Sequence, residues 1–201
     1  MSTTNLTKTI GTVVTDWAAA IAAGDQAGHS AIQTVTNNIA ASFGIALARS
    51  TGSAYTVGPK VRIEAYYQGW KQLDAFRMAV GESIANTTLN GAVSADDPTC
   101  VVTSATNIAA GDILFLGDAS AANYEIVRVK SVAGTTVTFE ENCVNAHDSG
   151  AQVTDQAEIY SLGPYDLSTF ASVRVILDNV GAGQGVYFRS IINTLDSVAT
   201  A

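Results

Sequence analysis

Apolar residues recur at every second position in two separate stretches, and this beat restricts the fold more than any other feature of the chain. In SAIQTVTNNIAASFGIALARS, Phe43, Ile45 and Leu47 alternate with Gly44, Ala46 and Ala48. In KVRIEAYYQG, Val61, Ile63, Ala65 and Tyr67 oppose Arg62, Glu64, Tyr66 and Gln68. A period of two belongs to a strand with one buried face, and the second stretch reads as a half-buried antiparallel strand. The same alternation assigns Tyr67, with Trp70, to the core or its rim and turns Tyr66 outward. Helix signals are thin. TDWAAAIAAGD begins with a capping-type Thr-Asp pair, but Trp17 and Ile21 make a single helical turn, and Gly24, Gly28 and Gly44 recur too often for a long helix.

After Trp70 the pattern is ambiguous. Leu73, Phe76 and Val80 fit a short helix and an edge strand equally, so residues 71–88 are left as either. Beyond Asn90 the texture changes and holds to about Gly163. CVVTSATNIAAGDILFLGD and YEIVRVKSVAGTTVTFEENCV alternate β-branched with polar residues and place turn chemistry at AAGD, SVAGTT and DSGA. This predicts a compact unit of four or five strands. PYDLSTFASVRVILDNVGAGQGVYFRSIINTL then returns to longer strands like those before residue 75. The expected fold is all-β: a jelly-roll-like β-sandwich built from residues 1–89 and 164–201, with a small β domain, residues 90–163, inserted between its strands. Insertions into surface connections cost little entropy.

Composition narrows the function. A chain of 201 residues with 47% hydrophobic content can bury a core, yet charged residues make up only 14%, well under the usual quarter. The net charge of −8 and the singly scattered Lys and Arg leave no basic footprint, which argues against nucleic acid as a partner. No apolar run is long enough for a membrane-spanning helix. MSTTNLTKTIGTVV has one Lys and no apolar core, unlike a signal peptide.

The glycines of VRVILDNVGAGQGVYFRS are spaced GxGxG, at Gly181, Gly183 and Gly185, and precede an alternating stretch that reads as a strand. A dinucleotide loop needs GxGxxG leading into a helix, so the run is read as the tip of a hairpin in which Asn179 and the glycines supply positive φ angles. His29 lies in GDQAGHSA and His147 in NAHDSGA, both polar turns, and neither is judged to have a His or Cys at ligand spacing. Cys100 and Cys143 are far from a CxxC spacing and read as buried free thiols. No GxSxG elbow occurs. The pairs Asp96–Asp97 and Glu140–Glu141 are adjacent in sequence and would point to opposite sides of a strand. The reading therefore assigns no catalytic, cofactor-binding or metal-binding residues, no cofactor, and no enzymatic activity. Two surface features are candidates: Val13, Val14 and Trp17 as an interface anchored on an N-terminal arm, and Tyr66 with Trp70 as a platform on which a sugar ring could stack.

Two segments carry a resemblance. NIAAGDILFLGDASAANYEIVRVKSVAGTTVTFEENCVNAHDSGAQV resembles a small β module that recurs in structural proteins of tailed bacteriophages. DLSTFASVRVILDNVGAGQGVYFRSII is similar to the last hairpin of sandwich-type virion proteins. Where the family's module often has a basic-glycine turn, this chain has Glu140, Glu141 and Asn142. The resemblance implies a virion protein assembled in the host cytoplasm: a homo-oligomer that binds other virion proteins and decorates a symmetric capsid lattice. The alternatives are a station at the neck or tail and a carbohydrate-binding sandwich. A low-charge, small-residue surface suits repeated flat contacts.

Overall fold

The structure, a computed structural model, describes residues 6–15, 28–29, 32–35, 38–78, 84–118, 120–178 and 185–197. They form three antiparallel sheets and contain no α-helix, only a 3-10 turn at Ala121–Asn123. The fold is all-β.

The first sheet runs in the order β1 (Leu6–Thr15), β15 (Val186–Ser197), β4 (Asn38–Arg49), β13 (Glu158–Asp166). The second runs β2 (Gly28–His29), β14 (Ser172–Asp178), β5 (Lys60–Tyr66), β6 (Trp70–Arg77), with β3 (Gln33–Thr34) also pairing with β14. With β2 and β3 counted as one interrupted strand, these sheets contain eight strands, whose orders along the chain are 1-8-3-6 and 2-7-4-5. That is the order of a jelly roll. Its origin is a nested ribbon, in which β1 pairs with β15, β2 and β3 with β14, β4 with β13, and β5 with β6. Rolling the ribbon over adds the pairs β15–β4 and β14–β5.

The alternating side chains close the sandwich. Phe43, Ile45 and Leu47 of β4 meet Val61, Ile63 and Ala65 of β5, Val173, Val175 and Leu177 of β14, and Phe188 and Ile192 of β15 in one core. Each such aliphatic or aromatic side chain contributes roughly 1.5–3 kcal/mol on full burial.

The third sheet runs β7 (Asn86–Thr88), β12 (Gln152–Thr154), β9 (Ile113–Leu116), β10 (Glu125–Ala133), β11 (Thr136–Phe139), β8 (Thr99–Val101). It lies between strands five and six of the jelly roll and has its own core of Leu114, Leu116, Val127, Val129, Val137, Phe139 and Val153, with both cysteines. Cys100 and Cys143 are buried and not bonded to each other. The β10–β11 turn puts Gly134 at a φ of 62°, a conformation glycine adopts without a Cβ penalty.

Several sequence expectations need correction. The GxGxG connection is not a hairpin: β14 belongs to the second sheet and β15 to the first, so the chain crosses between sheets there. Turn residues mark a reversal but do not say which sheet receives the next strand. Gly181 and Gly183 themselves lie outside the described residues. Residues 158–163, assigned above to the inserted unit, belong to β13 and pair with β4, whereas β7, assigned to the sandwich, pairs with β12. The ambiguous segment is strand β6 over Trp70–Arg77. Tyr67 does not enter the core. The strand ends at Tyr66, Gln68 and Gly69 turn with positive φ, and Tyr67 is 54% exposed. The segment before Asp16 is not a free arm from residue 6 onward, since β1 is paired with β15 from Leu6↔Ser197 to Thr15↔Ser190.

Candidate functional site

The outward face of β4 is made of small residues, and this lets the inserted sheet lie down on the sandwich. Ala46 and Ala48 form the floor against which Phe115, Ile113, Tyr124 and Ile126 of the insert pack, together with Ala157 and Tyr187. Phe115 stacks on Tyr187 with centroids 4.6 Å apart, and Tyr124 meets both rings edge-on. Polar ties flank the rings. The Gln152 amide donates to the Ser50 carbonyl at 2.7 Å, Thr154 Oγ1 donates to the Arg49 carbonyl at 3.1 Å, and the Ala157 amide donates to the Ile113 carbonyl at 3.0 Å.

Beside this contact the two units leave an open groove of about 470 Å³, with Gly44, Ala46, Ile159 and Ile191 on the sandwich side and Ile126 and Val144 on the insert side. Ile159 is 63% exposed and Val144 78%. Gly44 faces Ile191 across the β4–β15 pair, where a Cβ would come within 2.8 Å of Ile191 Cγ1, so the floor at this point is backbone. Arg189 and Glu125 supply the groove's charges. The surface is suited to burying aliphatic side chains of a partner.

At the insert's end of the groove lies a buried polar cluster that sequence reading missed. One ligand-type atom each from Glu125, Cys143 and His147 lies within 4.8 Å of the others. His147 Nε2 is 2.8 Å from Glu125 Oε1, and its Nδ1 is 3.3 Å from the Gly117 carbonyl oxygen. Glu125 Oε2 accepts the amide hydrogens of Val144 at 2.9 Å and Asn145 at 3.3 Å. Burial pushes the Glu125 carboxyl up, but its hydrogen bonds to His147 and the Val144 amide outweigh burial and hold it below its ordinary range. Burial, reinforced by the Glu125 charge, pushes the Cys143 thiol well above its ordinary range. Here the carboxylate hydrogen-bonds both the thiol and the ring. Cys143 precedes His147 by four residues, a ligand-compatible spacing. The signal was therefore present in the sequence, but Glu125 joins from another strand.

The two surface candidates fare differently. Val13 and Val14 lie in β1, Val13 opposite Ile191, and nothing further is described of their side chains. Trp17 lies outside the described residues. Tyr66 and Trp70 do meet, edge to face at 5.4 Å. The Arg174 guanidinium sits 4.0 Å over the indole and donates to Glu64 Oε2 at 2.7 Å, while Arg62 donates to Glu64 Oε1 at 2.6 Å. One face of the Trp70 ring is thus already covered by a cation. His29 takes part in β2, paired opposite Ile176. Among the described residues, no helix is long and apolar enough to cross a membrane.

These features define a class: an antiparallel jelly-roll sandwich carrying a six-stranded β insert docked on the outer face of one sheet. No family model matches the chain, and no curated protein does.

Proposed function

We propose that this protein is a structural component of a tailed-phage virion, a decoration or accessory protein of the head that binds a symmetric lattice as a homo-oligomer. A jelly roll hosts many functions, viral capsid and lectin domains among them, so the fold alone carries little weight. The observation that carries the reading is the open groove in which Ile159 and Val144 stand exposed above a floor of Gly44 and Ala46. Burying each of the two contributes up to roughly 1.5–3 kcal/mol before association costs. Repetition over symmetric neighbours multiplies a weak single contact. The test is mass spectrometry of purified virions of the phage encoding the chain, with Ile159→Lys and Val144→Lys variants supplied in place of the wild type. Wild-type protein is expected in the particles and the variants are expected to be depleted. Absence of the wild-type protein overturns the reading.

The contact between Tyr66 and Trp70 favours one second reading, a carbohydrate-binding surface on the second sheet. It predicts glycan-array binding that is lost in Tyr66→Ala and Trp70→Ala.

A further inference from the structure

We propose that Glu125 Oε1, Cys143 Sγ and His147 Nε2 form a Zn²⁺ site that staples the loop after β11 onto β10. The inference is independent of the virion reading.

Donor and acceptor accounting leads to it. His147 Nδ1 lies 3.3 Å from the Gly117 carbonyl oxygen, an acceptor that receives the ring proton in one of the two neutral tautomers, with Asp118 Oδ2 3.9 Å away. In that tautomer Nε2 presents a lone pair toward Glu125 Oε1, 2.8 Å away; in the other, Nε2 donates its hydrogen to the same oxygen. Glu125 Oε2 is an acceptor, since it receives two backbone amides. At this distance a proton bridges the two atoms in the metal-free chain, and a metal ion takes the proton's place on loading as the two atoms part by a few tenths of an ångström.

Donor type favours the metal. The His147 side chain is wholly buried between the carboxylates of Asp118 and Glu125, whose side chains are 3% and 10% exposed. A proton on the ring offsets one of these charges; a divalent ion offsets both but brings the Cys143 thiolate with it, so the net charge of the cluster is the same in either state. Cys143 adds a sulfur donor to the nitrogen and the oxygen, a set that suits Zn²⁺ and not the oxygen-seeking Mg²⁺ or Ca²⁺. The Gly117 carbonyl on the far ring nitrogen is the outer contact that orients a ligating histidine. Glu125 also lines the groove, the side from which a water would complete the coordination. Binding breaks the Cys143 S–H bond, forms the Sγ–Zn bond and releases the proton to solvent.

The full chain, freed of metal with a chelator, is titrated with Co²⁺ and then Zn²⁺ by calorimetry and absorption spectroscopy. The expected result is one equivalent bound, a near-ultraviolet thiolate-to-Co²⁺ charge-transfer band that Zn²⁺ abolishes, and a melting temperature that rises with Zn²⁺ concentration. Cys143→Ser removes the band. His147→Gln weakens binding by more than the roughly 10- to 100-fold that loss of an outer partner costs. Cys100→Ser, which alters the other thiol of the same core, leaves band and affinity unchanged. Should Cys143→Ser fail to fold, Cys100→Ser still decides the matter, because its remaining thiol is Cys143. Absence of stoichiometric binding, a band that survives Cys143→Ser, or a band that vanishes in Cys100→Ser overturns the proposal.

Discussion

Phe115 of the inserted sheet stacks on Tyr187 of the sandwich, their ring planes 21° from parallel and their centroids 4.6 Å apart. Phe115 is completely buried, so this pair is the centre of the contact between the two units. Phe115→Ala is expected to cost about 3–5 kcal/mol, the range for removing a buried aromatic ring. Calorimetry should show a lowered transition. Limited proteolysis should show faster cleavage near residues 84–85 and 155–157, where the chain enters and leaves the insert. An unchanged transition would mean that the insert is not held by this contact.

A second tie joins the two sheets of the sandwich. The Tyr165 hydroxyl on β13 donates to Asp74 Oδ2 on β6 at 2.6 Å. Burial first, and then this hydrogen bond, push the hydroxyl's pKa up, so the bond persists into alkaline solution. Tyr165→Phe is expected to lower stability by about 1–2 kcal/mol, measured by denaturant unfolding with an unchanged slope.

The bulge in β13 supplies a third prediction. Gly163 sits at a φ of 98°, and an added Cβ would meet the Ala41 carbonyl oxygen at 2.9 Å and Ser42 Cα at 3.2 Å. Neither neighbour is a flexible side chain that can move aside. Gly163→Ala is expected to destabilise by about 1–3 kcal/mol, read as a drop in melting temperature.

Asp155 lies where the insert returns to the sandwich, and its amide donates to the Ala85 carbonyl at the entry point. Burial pushes its carboxyl from 3.8 up to about 6, against the opposing pull of the Gln156 amide. An acid with a raised folded pKa binds its proton longer in the folded than in the unfolded chain. Its contribution therefore makes stability fall as pH rises from about 4 to about 6, and level off above that. Asp155→Asn keeps an acceptor for the Gln156 amide and cannot ionise. The stability difference, variant minus wild type, should grow across that window and stay constant above it, as measured by urea unfolding at several pH values.

How much of this was legible in the sequence depends on the range of the interaction. The alternation in β4 and β5 is local, and the residues it marked, Phe43, Ile45, Leu47, Val61, Ile63 and Ala65, all lie in the core. Tyr67 broke the pattern because Gln68 and Gly69 end the strand one residue earlier than the alternation does. The GxGxG turn was read as a hairpin because turn chemistry is local, while the choice of sheet is made by β4 and β5, which lie more than a hundred residues upstream. Gly44, Ala46 and Ala48 were visible as the strand's other face. That an inserted sheet rests on Ala46 and Ala48 is a tertiary fact with no local signature. The polar cluster follows the same rule: Cys143 and His147 are close in sequence, but their meaning depends on Glu125, delivered by the pairing of β10 with β9.

Assembly gives a prediction that does not concern stability. Light scattering coupled to size exclusion should return at least twice the 20.8 kDa chain mass, since closed symmetry is the usual form of a repeated contact, and a single-chain mass would contradict self-assembly. Ile159→Lys should shift the population toward smaller species if the groove is the contact surface.

The most direct measurement of the structural-component reading is a cryo-electron reconstruction of intact virions of the kind in which that reading places the chain. The account predicts symmetry-related copies of the jelly roll and its docked insert on the particle, with Ile159 and Val144 buried against a neighbouring protein. Particles without density for this fold, or with the groove turned to solvent in every copy, would contradict it.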